Sequence, residues 1–163
     1  DSDHYLYLLK QVGLAATLGL PYEFYYSTSD EIKMLKRLQK LGVQKNNFII
    51  FHTGANWEPK RWSSQCFYAL IQLIQNREKL PILFTGAPED VERTEALARK
   101  ALLTGLQVHS LAGETTLGEL GALSSFARVV VSNDSGPLHI ASGVGAKTIA
   151  GLIMYGIRNR IIN

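Results

Sequence analysis

One stretch limits the possible folds more than any other: three consecutive valines, Val129–Val131, followed by polar residues and then by a helical pattern. Consecutive β-branched residues are typical of a strand buried on both faces, as in a parallel sheet covered by helices. The segment Asn133–Gly136 has the composition of a turn, because Asn and Asp tolerate unusual backbone angles and Gly lacks a Cβ. Pro137 suits the first position of a helix, with Ser135 or Gly136 as the N-cap. We therefore predict a strand, a sharp turn and a helix.

Such a turn places the N-terminus of a helix at the carboxyl edge of a sheet. Open α/β sheets bind ligands at this edge, and the free N–H groups and the helix dipole favour a phosphate group there. A diphosphate is therefore the leading candidate ligand, and Gly136 is expected to permit the turn and to let a phosphate oxygen approach the backbone. His139 lies one helical turn further on, on the side where Ser135 begins. The alternative is an ordinary strand–helix turn whose polar residues only cap the helix, with His139 half-buried.

Strand and helix patterns alternate along most of the chain. Capping boxes, in which a Ser or Thr precedes an acidic residue by three positions, predict two helix starts, at Thr28 with Glu31 and at Thr116 with Glu119. A further helix is expected over 3–13. Short apolar runs predict strands at Phe48–Phe51, Pro81–Thr85, Gln107–Leu111, Val129–Val131 and Lys147–Leu152. Strands that alternate with helices predict parallel βαβ units, and hence an α/β fold with a doubly wound parallel sheet.

The composition excludes several classes of protein. The chain has 163 residues, 46% of them hydrophobic, which is enough to bury the core of one domain. Its 17 basic and 14 acidic side chains leave a net charge of +3, and the basic residues are spread along the chain, which argues against a nucleic-acid partner. The single cysteine, Cys66, excludes an internal disulfide and a cysteine-based zinc site, and is expected to be buried. No signal sequence or membrane span is evident, which predicts a soluble, cytoplasmic protein; no metal site is expected.

Three common signatures of enzymes are missing or misplaced. The segment 143–148 resembles a phosphate-binding loop, but Ala146 replaces the glycine before Lys147, and a strand pattern follows instead of a helix. No G-x-G-x-x-G follows the first strand and no G-x-S-x-G is present, so the main signs of a nicotinamide or flavin enzyme and of a hydrolase are absent. Ser135 and His139 are one helical turn apart without a third orienting group, which does not favour a catalytic triad.

The loop after the first strand carries a second group of candidate ligands. Gly54, Asn56, Lys60 and Arg61 follow that strand, at the sheet edge that also receives Asp134–Gly136. A cation that faces a helix N-terminus across the point where the strand order reverses is a suitable cradle for a diphosphate leaving group. The alternative is that the two cations are solvated loop charges while the neighbouring tryptophans pack against the sheet edge.

Four motifs together resemble glycosyltransferase family 9, the lipopolysaccharide heptosyltransferases. In chain order they are Gly54–Trp62, Thr85–Glu89, Leu111–Leu117 and Ser132–Ala141. The resemblance covers most of the chain and implies a GT-B enzyme with two Rossmann-like halves, of which this chain would be the C-terminal, nucleotide-sugar-binding half. Residues 1–27 would then form an interdomain helix and connector, and residues 28–163 the donor-binding domain. After Ala150 the sequence departs from the family pattern, which suggests a truncated or divergent end.

The resemblance also implies the substrates. The donor in this family is ADP-L-glycero-D-manno-heptose, and no cofactor is implied. The acceptor is the growing inner core on lipid A at the cytoplasmic face of the inner membrane, so a peripheral membrane association is a further expectation. Carried over by motif, Lys60 contacts the diphosphate, while Ser135 and Gly136 bind phosphate through backbone N–H groups. Asp134 and His139 line the sugar end.

The nucleoside end follows from the same motifs. The adenosine is expected near Gly113–Thr116, with Glu89 or Asp90 on the ribose. The candidate catalytic residues are thus Lys60, Asp134 and His139, and the candidate donor-binding residues are Asn56, Lys60, Glu89, Asp90, Gly113, Thr115, Thr116, Ser135 and Gly136. The family's general base, a carboxylate, belongs to the N-terminal half, so this chain alone is expected to bind donor without turnover. The alternative, from another class, is a non-catalytic Rossmann-like module that binds a nucleotide or a nucleotide sugar.

Overall fold

A computed structural model describes residues 7, 10–13, 22–55 and 58–151 of the chain. The strands in this part are β1 (Ile49–His52), β2 (Ile82–Thr85), β3 (Val108–Ser110), β4 (Val129–Asn133) and β5 (Thr148–Gly151). The α-helices that can be bounded are α1 (Thr28–Lys40), α2 (Ser64–Glu78), α3 (Val91–Leu103), α4 (Leu117–Phe126) and α5 (Gly136–Gly143). Short 3-10 helices precede α2 and α3, at Glu58–Lys60 and Pro88–Asp90.

The strands form one parallel sheet in the order β3-β2-β1-β4-β5. The chain builds outward from β1 through β2 to β3, and then returns so that β4 pairs with the free side of β1. Ile50 of β1 is in register with Val130 of β4. Because the direction of building reverses between β1 and β4, the loops that follow these two strands diverge and leave a crevice at the carboxyl edge. The predicted doubly wound parallel sheet is confirmed.

The two faces of the sheet carry separate cores. In β4, Val130 packs into the core shared with α1, α4 and α5, and its neighbour Val131 packs into the core shared with α2 and α3. Ile50 and Phe51 of β1 alternate in the same way. Burial of each such side chain contributes about 1.5–3 kcal/mol, so both layers of helices are needed to cover the sheet. The prediction that Val129–Val131 forms a strand buried on both faces is confirmed.

The first capping box lies one residue earlier than predicted. Ser27 is the N-cap of α1: its side chain accepts a hydrogen bond from the Asp30 N–H at 3.1 Å, and its own N–H donates to Asp30 Oδ2 at 3.1 Å. The predicted pair of Thr28 and Glu31 is therefore wrong. Both registers contain a hydroxyl residue three positions before an acid, so the pattern alone does not choose between them.

Other predictions of local structure have mixed outcomes. The capping box of α4 is confirmed, since Thr116 Oγ1 accepts from the Glu119 N–H at 3.2 Å and the Thr116 N–H donates to Glu119 Oε2 at 2.9 Å. The prediction of a buried thiol is wrong: Cys66 is exposed, because it faces solvent in the first turn of α2. Most of the helix expected over 3–13 lies outside the described residues, although Gly13 has the positive φ of a helix end, +76°. The domain boundary at residue 27 stays a prediction.

Candidate functional site

One contact between side chains bridges the loops after β1 and β4 at the point where the strand order reverses. Lys60 Nζ donates a hydrogen bond of 2.8 Å to Asp134 Oδ2, although the two residues are 74 positions apart in the chain. Two residues after Asp134, helix α5 begins at Gly136, with Ser135 as its N-cap. The structure thus brings together the lysine, the carboxylate and the helix N-terminus that the sequence assigns to one site.

The ion pair at this site is open to solvent. The side chains of Lys60 and Asp134 are 45% and 39% exposed. The hydrogen bond from Lys60 holds the pKa of the Asp134 carboxyl below its ordinary value, and the charge of the same ammonium and, more weakly, of His139 act in the same direction. An exposed pair of this kind contributes only about 0–1 kcal/mol to folding. Both charges can therefore exchange partners with a ligand at little cost to the fold.

The N-terminus of α5 faces the same crevice. The first N–H groups of a helix have no partner within the helix and favour an anion. Ser135 is extended, with φ −152° and ψ 170°, and therefore makes the turn itself. Gly136 is already helical and exposed, and a Cβ there would meet nothing within 4 Å. The expectation that Gly136 is needed for the turn is wrong, because the backbone at that position is open to any residue.

His139 lies one turn into α5 and is exposed rather than half-buried. Its ring meets the edge of the Tyr22 ring, with centroids 6.3 Å apart. The imidazole is therefore available at the surface, on the helix whose N-terminus faces the crevice.

Asn133, the last residue of β4, holds the loop after β1 in place. Its side chain is completely buried. The amide oxygen accepts from the Trp62 N–H at 2.9 Å, and the amide nitrogen donates to the carbonyls of Thr53 at 2.9 Å and Gly54 at 3.1 Å. These contacts join the chain on both sides of Lys60 to β4. Sequence reasoning assigned Asn133 to the turn; a polar residue that directly continues a buried strand was the signal that it missed.

Arg61 and Asp90 form a buried pair. Arg61 Nη1 lies 2.6 Å from Asp90 Oδ1, and the side chains are only 17% and 5% exposed. The other carboxylate oxygen accepts from the Ala87 N–H at 3.3 Å. Both oxygens of Asp90 are therefore engaged within the protein. Its neighbour Glu89 is exposed, and is the better placed of the two candidates for a ribose.

The alternative interpretation of the loop after β1 is correct in part. Trp62 packs edge-on against Phe67, with ring centroids 5.1 Å apart, as expected of a tryptophan that covers the sheet edge. Arg61 is not a solvated charge. Asn56 and Trp57 lie outside the described residues.

The candidates for the nucleoside form a second group at the same edge. Gly113 has φ +72°, and a Cβ at this position would lie 2.8 Å from Val91 Cγ2. Val91 directly follows the turn Pro88–Asp90, which carries Glu89. Thr115 is half-buried, and the Thr116 side chain is occupied as the N-cap of α4. The loops after β2 and β3 are thus in contact, next to the loop after β1 in the order of the sheet.

His52, at the end of β1, lies beneath the site. Its Nδ1 is 3.0 Å from Thr85 Oγ1, and the ring is buried. Burial lowers the pKa of His52 to about 4, against a weaker opposite effect of the Asp90 charge. The imidazole is therefore neutral at neutral pH and serves the packing under the site.

The described residues show neither a metal site nor a membrane span. They contain no group of three or more His, Cys, Asp or Glu that could hold a metal ion. None of the helices in the described ranges is long and apolar enough to cross a membrane.

Comparison with known proteins identifies the family. Residues 3–159 match the sequence profile of glycosyltransferase family 9 (heptosyltransferase). The chain belongs to this family. Lipopolysaccharide heptosyltransferase 3 of Escherichia coli K12 is 31% identical over 119 residues, which cover 72% of this chain and 34% of that protein. The chain thus spans about a third of the length of this curated relative.

Solved structures of the family share the fold. A family 9 glycosyl transferase from Veillonella parvula superposes with a TM-score of 0.78 and 21% identity, covering 91% of this chain and 42% of that one. The E. coli heptosyltransferase WaaC, solved with ADP, superposes with a TM-score of 0.59 and 21% identity, covering 87% of this chain and 41% of that one. The resemblance to glycosyltransferase family 9 and the Rossmann-like fold of GT-B heptosyltransferases are both confirmed.

Proposed function

We propose that this chain binds ADP-heptose as the donor-binding half of an enzyme that transfers heptose to the lipopolysaccharide inner core. One observation carries the proposal: the 2.8 Å Lys60–Asp134 pair stands beside the N-terminus of α5, where the strand order reverses between β1 and β4. Open α/β sheets bind their ligands at this point. A diphosphate in the crevice would meet an ammonium on one side and helix N–H groups on the other.

The phosphate end stabilises the leaving group. When the sugar–phosphate bond breaks, negative charge develops on the ADP, and fixed positive groups that already face it lower the barrier. Lys60 and the backbone N–H groups of Ser135 and Gly136 are the groups we assign to this role. Lys60 can turn from Asp134 to a phosphate oxygen, because the exposed pair contributes little to the fold.

The sugar end is assigned to Asp134 and His139. The Asp134 carboxylate is ionised at neutral pH with or without Lys60 beside it, so it can only accept hydrogen bonds, as from sugar hydroxyls. When a phosphate oxygen takes the ammonium of Lys60, this carboxylate becomes free for a hydroxyl of the heptose. His139, exposed on the next turn of α5, offers a second polar group on the same side.

The nucleoside end is assigned to the loops after β2 and β3. The exposed carboxylate of Glu89 is suited to accept from ribose hydroxyls, as acidic residues do in other Rossmann-like folds. Gly113, Thr115 and Thr116 provide backbone groups next to it, and the threonine of the N-cap contributes no free side chain. Asn56 remains a further candidate in the loop after β1.

The relatives support this assignment. WaaC of E. coli was solved with ADP, and the E. coli K12 relative is named for heptosyl transfer to lipopolysaccharide. Because the chain spans about a third of that relative, we propose that the acceptor, lipid A with its growing core, is bound by a second Rossmann-like half that also supplies the general base. Transfer would then take place at the cytoplasmic face of the inner membrane.

Calorimetric titration of the chain with ADP, ADP-heptose, UDP and GDP tests the proposal. We expect ADP and ADP-heptose to bind. K60A should weaken ADP binding by about 1.5–3 kcal/mol, the contribution of a hydrogen bond to a charged group. K36A, which removes an exposed lysine from α1, is the matched control and should leave the affinity unchanged. Binding of UDP but not ADP would overturn the donor, and an unchanged affinity in folded K60A would overturn the role of Lys60.

A further inference from the structure

The turn that carries Lys60 lies in a network of four charged side chains, which are Glu58, Arg61, Asp90 and Arg93. The turn is the 3-10 helix Glu58–Lys60, and Arg61 follows it directly. Arg61 reaches into the protein to Asp90 at 2.6 Å, while its Nε lies 3.1 Å from Glu58 Oε2. Glu58 Oε1 in turn lies 3.2 Å from Arg93 Nη1 on α3. The turn that carries Lys60 is therefore joined to the start of α3 chiefly through Arg61 and Asp90, because the Glu58 side chain is 70% exposed and its pairs contribute little.

The two contacts on either side of this turn differ in burial. The Lys60–Asp134 pair is exposed and too weak to fix the lysine. The Asp90 side chain is only 5% exposed, and a buried pair is strongly destabilised when one partner is removed, because a charge is left uncompensated. Asp90 also touches the backbone of the loop, since a Cβ at Gly54 would lie only 2.1 Å from Asp90 Oδ2. The carboxylate of Asp90 thus contacts the loop after β1 at two places, Arg61 and Gly54.

We infer that Asp90 is a positioning residue, which acts on the donor through Arg61 and Lys60 and does not contact the donor itself. The identity of the ligand rests on the proposed function, whereas the placement of Lys60 is a property of the free chain.

The ligand-free test uses the pKa of Asp134 as a reporter of the position of Lys60. The carboxyl resonance is titrated by NMR in the wild-type chain, in D90N and in K60A. In K60A the pKa should rise, because its hydrogen-bond donor is gone. In D90N it should also rise toward the K60A value, because the released lysine no longer stays within reach. Removal of the Asp90 charge has by itself the opposite effect, so a rise reports movement of the lysine.

A matched control distinguishes this from a general effect of a broken ion pair. Glu78, at the end of α2, lies 3.4 Å from Arg128 at the opposite edge of the sheet, and E78Q removes one negative charge from this arginine pair. The pKa of Asp134 in E78Q should match that of the wild type. A wild-type pKa of Asp134 in D90N would overturn the inference, whether or not the chain binds ADP.

The second test is a double-mutant cycle on ADP affinity. D90N should weaken ADP binding by about three- to tenfold, since Lys60 keeps its charge and loses only its position. In the K60A background D90N should have no further effect, because the two act through one contact. An independent, additive loss would mean that Asp90 contacts the ribose or supports the fold generally, and would overturn the inference. Failure of the wild-type chain to bind ADP would overturn the proposed function, and the Asp134 titration would still decide the placement of Lys60.

R61K provides a second variant if D90N does not fold, as judged by circular dichroism. Lysine keeps the charge, but it lacks the planar guanidinium that places Nη1 2.6 Å from Asp90 Oδ1 and Nε 3.1 Å from Glu58 Oε2. R61K should raise the pKa of Asp134 in the same direction as D90N. An unchanged pKa in folded R61K would contradict the inference equally.

Discussion

The two ends of the candidate donor site are built in different ways. The phosphate end is held by distant parts of the chain: the Asn133 side chain binds the carbonyl of Thr53, 80 positions away. The nucleoside end contains a local contact: Thr116 and Glu119, three positions apart, exchange two hydrogen bonds between backbone N–H groups and side chains. The phosphate end thus exists only in the assembled sheet, whereas much of the nucleoside loop is determined locally. Removing a side-chain hydrogen bond should therefore cost more at the phosphate end than at the nucleoside end.

The largest effect is expected from N133L. Leucine has a similar shape but leaves the Trp62 N–H and the carbonyls of Thr53 and Gly54 without their partner. Each buried unpaired group costs about 1–3 kcal/mol, so the loss of the partner of all three groups should lower the free energy of unfolding by about 3 kcal/mol or more. Urea denaturation measures this. A loss below about 1 kcal/mol would mean that the loop after β1 does not depend on β4.

Low pH should also destabilise the fold through His52, which lies beneath the site. Its pKa is about 4 in the folded chain, below the ordinary value of 6.5, so the unfolded chain binds the proton more tightly. Stability should therefore fall as the pH drops from about 6.5 to about 4, by up to about 3 kcal/mol, and be independent of this group above that range. The neighbouring Asp90 charge only reduces the effect. Denaturation at several pH values should show a shallower slope in H52N than in the wild type; equal slopes would rule His52 out as the cause.

A smaller loss is expected at the nucleoside end. T116A removes one local cap, which costs about 0.5–2 kcal/mol. T116S keeps the hydroxyl and is the control that should retain most of the stability. If T116A destabilises the chain as much as N133L, the nucleoside loop is not the more local of the two structures.

The smallest effect on stability is expected from G136A, within about 0.5 kcal/mol, because the site is exposed and a Cβ meets nothing. ADP affinity should nevertheless fall, since the methyl group enters the space proposed for the phosphate. G113A should instead lower the free energy of unfolding by about 1 kcal/mol or more, because Gly113 has φ +72° and an added Cβ would lie 2.8 Å from Val91 Cγ2. An unchanged ADP affinity in G136A would place the phosphate elsewhere.

What could be predicted from the sequence follows the same division. The valine run and the Thr116 capping box are local patterns, and the order of strands and helices follows from their alternation. The roles of Asn133 and Asp90 depend on partners that lie 71 to 80 and 29 positions away, which only the folded sheet brings together. The error at Gly136 has a local cause, because the extended Ser135 makes the turn one residue earlier than the glycine suggested.

The central claim is that a diphosphate binds between Lys60 and the N-terminus of α5. Amide chemical shifts of the chain, followed by NMR during titration with inorganic pyrophosphate and then with ADP, test it most directly. Pyrophosphate should shift the N–H signals of Ser135, Gly136 and Lys60, and ADP should shift these and also those of Gly113 to Thr116. If both ligands leave the start of α5 unchanged, or if pyrophosphate shifts only the loop after β3, the account of the site is contradicted.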